Sequence, residues 1–535
     1  MSIISLRNIS YTTPDGRNLL ENLELGFGRE RTGLVGRNGV GKSTLLKLVT
    51  GELRSSAGSV HVEGTLRQLR QEVQADEDAT VADALGVSAA LARLRRALSG
   101  EGTPEDVATA DWTLDERLQA VLVEVGLEAI SPDRRLASLS GGQRTRVALA
   151  ALIFGKPDMI LLDEPTNNLD REGRALVARL LEGWSGGAIV VSHDRELLRR
   201  MDRIVELSSL GVRVYGGNWD AYVERKEEER AVAEQKLAGA EQQMKLVARK
   251  VQIARERQAK RDAQGRRKRA QSSDPRILLD AQQQRAENTA ARGSRLAERQ
   301  SGQVTLALEE ARNNVERVKR LSFGLSSTRL PGGRTVLSFE AVSGGYDPSS
   351  PILHGLGFAI IGPERVALAG PNGSGKTTVL KLALGELDPF EGRVHRPVPA
   401  AMLDQHVAML DRDETILENF RRLNPSDTDN SCRAALARFL FRADDALRRV
   451  GMLSGGEMLR AGLACVLGGS RTPQLLILDE PTNHLDIDSV AAIEAGLNGY
   501  DGALLVVSHD ADFLQAIEVE RTIKLGTTRP VEKLS

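Results

Sequence analysis

Apolar positions along this chain follow two periods, and the change from one to the other divides it. At the N-terminus, SIISLRNISY alternates in the manner of a half-buried strand. Short strand-like runs recur further on: TGLV (32–35) and the unbroken apolar MILL (159–162), AIVV (188–191), LLIL (475–478) and ALLVV (503–507). Each has the length of a strand covered on both faces, and none approaches the roughly 20 apolar residues of a membrane-spanning helix. From 223 to 322 the period is helical: Leu237, Ala240, Met244, Val247, Val251 and Ala254 lie three and four apart, as do Val304, Leu308, Ala311, Val315 and Val318. That stretch has no aromatic residue with which to build a globular core. The two seams therefore predict an antiparallel helical hairpin whose tip includes GRRKRAQSSDP (265–275). Its first helix, from about 225 to 262, would reach on the order of 55 Å.

The strand-rich parts are copies of each other. GRNGVGKST (36–44) returns as GPNGSGKTT (370–378), LSGGQ (139–143) as LSGGE (453–457), DEPTNNLD (163–170) as DEPTNHLD (479–486), and VVSHD (190–194) as VVSHD (506–510). Four paired blocks in one order predict two homologous α/β domains, 1–222 and 335–535, joined by a charged helical linker at 223–334.

The repeated blocks carry the chemistry of a nucleotide site. In Gly36, Arg37, Asn38, Gly39, Val40, Gly41, Lys42, Ser43 and Thr44 a glycine-rich turn follows a strand and opens a helix. Such a turn points backbone N–H groups at phosphate, with the lysine reaching the outer phosphates and the hydroxyl of Ser43 available to Mg2+. Gly370, Pro371, Asn372, Gly373, Ser374, Gly375, Lys376, Thr377 and Thr378 repeat it. Asp163 and Asp479 end strand-like runs, where α/β sheets bind ligands, and suit a metal. Glu164 and Glu480 follow them and suit the orientation or deprotonation of an attacking water; as bare residues they also suit a turn cap. His193 and His509, each after an apolar run, are read as γ-phosphate contacts, with a structural histidine as the alternative. Gln71 and Gln405 lie between P-loop and LSGG and would complete a metal or water shell. Tyr11 and Tyr346 precede the two P-loops at similar distance and suit stacking on adenine, with ordinary edge packing as the alternative.

With P-loop, LSGG, the Asp-Glu pair and the SHD histidine in this order, the chain resembles the ABC ATPases. Two such cassettes without membrane spans, both with a DEPTNxLD form, and a charged helical linker resemble the ABC-F family in particular. The resemblance implies ATP and Mg2+ as ligands and a head-to-tail pairing of the cassettes within one monomeric chain. Ser454, Gly455 and Gly456 would then face the first P-loop, and Ser140, Gly141 and Gly142 the second. It also implies a ribosomal partner, ribosomal RNA and tRNA included, reached by the linker. Two departures bear on the equivalence of the sites: Asn168 stands where the second copy has His484, and Glu457 replaces the glutamine of LSGGQ.

Composition narrows the partners. The net charge is only −1, so no partner follows from the total. Between Lys245 and Arg276, however, twelve Lys or Arg face three acidic residues, a local +9, the concentration of cation that an RNA partner requires. A solvated connector with incidental charge is the plainer alternative. Cys432 and Cys465 are too few for a disulfide framework and are read as small buried apolar residues in a reducing compartment. No signal-peptide pattern opens the chain, so a cytoplasmic location is expected. The insertion RALSGEGTPEDVATADW (96–112) is polar and short, too small for a large ribosome-contacting arm. A long linker with so slight an insertion favours antibiotic resistance over translation regulation. The ATPase subunit of a drug exporter and an ATPase acting on branched DNA are the competing functions.

Overall fold

A computed structural model describes residues 3–69, 78–167, 169–208, 211–271, 302, 305–306, 325–404, 407–483 and 485–526. The chain divides into two compact units, one of Met1–Asp220 with Lys319–Ser535 and one of Ala221–Val318.

The first unit contains both copies of the repeat, and the predicted strands build a sheet in each. In the first copy the strand order is Leu66–Leu69, Met159–Asp163, Gly187–Val191, Arg31–Val35, Arg203–Ser208, Gly211–Gly216, parallel except for the last pair. Gly187–Val191 is buried along its whole length, which explains why the run carries no polar alternation. In the second copy the order is Ala400–Leu403, Leu475–Asp479, Ala503–Val507, Arg365–Ala369, Arg521–Lys524, all parallel. A three-stranded antiparallel sheet flanks each, built from Ile4–Thr12 and Thr335–Gly344 as central strands. The alternation seen in SIISLRNISY is resolved there: Ile4, Leu6 and Ile9 are buried.

Both copies also have a helical lobe. In the first it contains Ser88–Ser99, Pro104–Thr109 and Leu114–Glu124, so the insertion at 96–112 is a short helical excursion whose Arg96 pairs with Asp106 at 2.8 Å. In the second it packs Phe420, Phe439 and Phe441 around Cys432 and Cys465, both of which are buried as expected of small apolar residues.

The linker forms one helix, Trp219–Gln271, of 53 residues. Glu, Gln, Ala, Lys and Arg dominate it and no proline interrupts it, so intrinsic propensity carries it past the expected end near 262. Arg266, Arg267, Lys268 and Arg269 are thus part of the helix and not of a turn. Leu237, Ala240 and Val247 of the predicted seam are half-buried, while Met244 is exposed. Of the return helix only 302, 305 and 306 are described, all helical; its seam residues and 272–275 lie outside the described residues.

Candidate functional site

Strand order assembles the site. The strand leading into each P-loop lies beside the strand leading into SHD, which lies beside the strand that ends in the aspartate. The parallel register sets Asp163 opposite Val191 and Asp479 opposite Val507. Three carboxyl ends therefore converge, each delivering its motif to the same edge of its sheet.

In the first copy, Gly36, Gly39 and Gly41 adopt φ of 150°, 77° and 110°. A Cβ on Gly36 would meet the Leu207 carbonyl oxygen at 2.2 Å, so the turn admits only glycine there. Gly41 starts the helix Lys42–Val49, whose first turn carries no acidic side chain, leaving its N-terminus to an anion. Lys42 folds back over the loop and donates to the carbonyls of Gly36 and Arg37. The second copy repeats the arrangement: Lys376 Nζ donates to the Gly370 carbonyl at 2.7 Å and to that of Pro371 at 3.1 Å.

The Ser43 hydroxyl lies close enough to Asp163 to work against the rise of its carboxyl, and the Thr377 hydroxyl does the same for Asp479. Two hard oxygen donors on each side, beside a phosphate-binding turn, fit Mg2+, which takes few protein ligands and completes its shell with water and substrate oxygens. Burial raises both aspartates above the usual carboxylate value, and the nearby lysines oppose it.

The next residue is strained in both copies. Glu164 and Glu480 hold φ of 48° and 47°, a left-handed conformation that costs a non-glycine residue about 1–2 kcal/mol. Each N–H nevertheless donates to the end of the neighbouring strand, at Val191 (2.9 Å) and Val507 (2.8 Å). The effect is to turn each carboxyl toward its histidine. His193 Nε2 lies 3.2 Å from Glu164 Oε1 and 3.1 Å from Lys42 Nζ; His509 Nε2 lies 3.4 Å from both Glu480 Oε1 and Lys376 Nζ. Each Nε2 thus faces an ammonium and a carboxyl at once, and its role as donor or acceptor is set by which of the two it answers. Burial first, then the lysine charge, lowers the two imidazoles to about 3 and about 4. Burial pushes the carboxyls up, Glu164 to about 8 and Glu480 to about 7. The Glu480 Oε2 and His193 Nδ1 atoms are buried and have no partner among the described residues.

The two copies meet at these sites. Asp486, the last residue of DEPTNHLD, caps the helix Ile487–Asn498 by accepting from Ser489 N at 2.9 Å, and its other oxygen accepts from Asn38 N of the first P-loop at 2.9 Å. Arg37 of the same loop donates to Asp488 at 2.9 Å. Gly456 packs on this junction, since a Cβ there would fall 2.2 Å from Ser489 Oγ. The helix headed by Ser454 is thereby held beside the first P-loop. Reciprocally, Asp170 caps Arg171–Gly183 and acts electrostatically on Lys376 and His509, and Arg174 acts on Glu480 and His509. Further out, Arg195 pairs with Glu494 at 2.9 Å and Arg199 with Asp512 through two bonds of 2.8 and 2.9 Å.

Of the remaining candidates, Ser140 caps Gly141–Gly155 in a box with Gln143, as Ser454 caps Gly455–Leu467 with Glu457. Tyr346 is exposed, with Lys381 of the second P-loop helix 5.2 Å over its ring. Tyr11 is half-buried at the margin of the core that includes Leu45 and Leu46. Gln71, Gln405, Asn168 and His484 lie outside the described residues. Sequence reasoning singled out neither Asp486 and Asp170 nor Arg37 as contacts between copies. The signal was present for the aspartates, an N-cap residue before a helical run, repeated in both halves.

Comparison with known proteins agrees with this geometry. The ABC transporter family matches residues 20–167 and 353–483. Tylosin resistance ATP-binding protein TlrC of Streptomyces fradiae is 33% identical, covering 93% of this chain and 92% of its own. Energy-dependent translational throttle protein EttA of Escherichia coli (strain K12) is 30% identical, covering 96% and 91%. The solved structure of RNase-L Inhibitor shares the fold, with a TM-score of 0.58 and 19% identity over 96% of this chain and 87% of that one.

The raised carboxyls give a pH dependence with a definite sign. In protein free of metal and nucleotide, the folded state keeps protons on Glu164 and Glu480 that the unfolded chain releases above the ordinary value of 4.5. Their contribution to stability therefore falls as pH rises from there toward 7 and 8, and then levels off. Urea unfolding midpoints of Glu164→Gln/Glu480→Gln should depend less steeply on pH across this window than those of the unaltered chain; parallel curves would contradict the assignment.

Proposed function

This chain belongs to the ABC transporter family of ATPases, in its ABC-F branch, and is an ATP hydrolase; from that premise we propose that it acts on the ribosome, coupling closure of its two halves around ATP to the action of the cationic linker helix. The observation that carries the proposal is the sharing of the first P-loop between halves by Asp486 and Asp488. A nucleotide held there is bound by residues from both ends of the chain, so its binding draws the halves together and its hydrolysis releases them.

In this reading the P-loop amides and Lys42 or Lys376 hold the outer phosphates, with the signature serine and glycines of the opposite half completing the enclosure. Mg2+, held by Ser43 and Asp163 or by Thr377 and Asp479, with Gln71 or Gln405 in its shell, neutralises phosphate charge when bound. Glu164 and Glu480 orient the attacking water and take its proton, which their raised affinity for protons favours. His193 and His509 position the glutamate and contact the γ-phosphate. Tyr11 and Tyr346 stack on adenine. One chain supplies both halves, so closure is intramolecular and a monomer suffices.

The ribosomal partner rests on two supports. The linker sequence gathers a local charge of +9 between Lys245 and Arg276 on a chain whose net charge is −1, where RNA phosphates provide the counter-charge. Relatives of near-equal length are named for translational throttling and for tylosin resistance. No helix among the described residues is long and apolar enough to cross a membrane, so an exporter role would need membrane-spanning partners on other chains. A cytoplasmic location follows from the ribosomal reading. Between resistance and translation control, the length of the linker and the small size of the 96–112 insertion favour resistance.

Glu164→Gln/Glu480→Gln should bind ATP, hydrolyse it more slowly by about two to four orders of magnitude, and co-sediment with ribosomes when ATP is present. Protein that holds ATP and still stays at the top of the gradient would overturn the ribosomal assignment. Replacing Arg266, Arg267, Lys268 and Arg269 together by Gln should weaken ribosome binding and reduce the slope of its salt dependence by as much as about four charges, leaving nucleotide binding unchanged. An unaltered salt slope would remove the linker from the interface.

A further inference from the structure

The two signature helices differ in charge at their third residue, Gln143 in one and Glu457 in the other, and the structure shows what accompanies the difference. In both copies the serine before the helix forms a reciprocal cap with the residue three positions on. In the first copy that residue is neutral: Gln143 Oε1 accepts from Ser140 N at 3.0 Å. In the second it is Glu457, whose Oε2 accepts both from Ser454 N at 3.0 Å and from the Ser454 hydroxyl at 3.1 Å. The cap is sound in isolation, because a carboxylate is favoured at a helix N-terminus. The same N-terminus, however, is the one that meets a nucleotide phosphate. A fixed negative charge there opposes the ligand and also draws the serine proton toward itself.

An arginine six residues before each signature serine answers differently in the two copies. Arg134 and Arg448 occupy equivalent backbone positions: the Arg134 carbonyl accepts from Val81 N at 3.0 Å and the Arg448 carbonyl from Ile416 N at 3.1 Å, each N–H opening a helix. Their side chains diverge. Arg134 Nε donates to Ser138 Oγ at 3.2 Å. Arg448 grips Glu457 with both terminal nitrogens, at 2.7 and 3.3 Å, the two-pronged geometry that arginine makes with a carboxylate. Where the cap is charged, the arginine is turned onto it; where the cap is an amide, the arginine is used elsewhere.

We infer that Arg448 is a positioning residue of the first nucleotide site, cancelling the Glu457 charge so that the Ser454–Gly456 turn can accept a phosphate held on the P-loop of the other half. This rests on the reading that Ser454, Gly455 and Gly456 face that phosphate, and it explains how LSGGE serves where LSGGQ is replaced. The arginine touches no substrate; it acts through the glutamate, and its absence matters only while the glutamate is charged.

The test uses the full chain carrying Glu480→Gln, so that turnover reports the site of Glu164. Arg448→Ala should raise KM for ATP about tenfold with kcat little changed, the increase shrinking as salt is added. Arg448→Ala/Glu457→Gln should return KM to within about twofold of the parent, because the uncompensated charge is gone. A double variant as impaired as the single one, or a single variant with unaltered KM, would overturn the inference. Glu457→Gln alone, which keeps the fold-supporting cap, should lower KM, and an increase would count against the inference even if Arg448→Ala failed to fold. Gly455→Asp separates the two levels: if it leaves KM unchanged, the signature does not face the phosphate and the underlying reading fails; if it raises KM strongly while the Arg448 and Glu457 variants show no coupling, only the role of Arg448 fails.

Discussion

One carboxylate, that of Asp486, is shared between two parts of the chain 448 residues apart. One oxygen caps the helix of its own half and the other accepts from an amide of the opposite P-loop. A cap is worth about 1 kcal/mol to its helix, so the residue has a local reason to stay fixed in position and orientation. That fixity allows it to serve as a reference point for the other half. Gly456 packs against Ser489 one turn into the capped helix, which ties the signature to the same point. The P-loop, the asparate-capped helix and the signature thus form one junction, and the enzymatic reading follows from it.

Within each half, chemistry is arranged by sheet register and then sharpened by strain. Asp163 and Asp479 keep ordinary strand positions opposite Val191 and Val507, whereas the glutamates after them are bent into the left-handed region and buried against a lysine and a histidine. Strain repeated at the same motif position in two copies has a shared cause, the need to aim a carboxyl inward from the end of a strand. The halves are nonetheless unequal across the junction. Arg37 reaches Asp488 from the first P-loop, and Pro371 at the corresponding place in the second has no side-chain charge to offer. Arg174 acts on Glu480 from the first half, while the matching position in the second half is Val490. These differences, with Glu457 and Arg448, give the two sites distinct electrostatics on a common frame.

Much of this was legible in the sequence because it is local. The P-loops, the strand-ending aspartates, the glutamates and the SHD histidines each sit at a junction between apolar runs and turns, and periodicity finds such junctions directly. The burial of Cys432 and Cys465 followed in the same way from their residue type and number. What escaped was set by tertiary contact. Asp486 and Asp170 were visible as parts of a repeated motif, yet their reach into the opposite half depends on how two sheets face each other. Arg448 and Arg134 are indistinguishable by position, and only the partner chosen by each side chain separates them. The linker helix outran its expected end near 262 because the apolar seam stops at Ala254 while helix propensity does not, and propensity decided the matter through Gln271.

The contact between halves is tested most directly by joining it covalently. Cys432 and Cys465 are buried, so Arg37→Cys/Asp488→Cys presents two accessible thiols on opposite sides of the junction. In the presence of ATP, on the Glu164→Gln/Glu480→Gln chain, a short bifunctional thiol reagent should link peptides containing residues 37 and 488 within single molecules. Ready labelling of each thiol with no such link would mean that the second half does not complete the first nucleotide site, and the account would fail at its base.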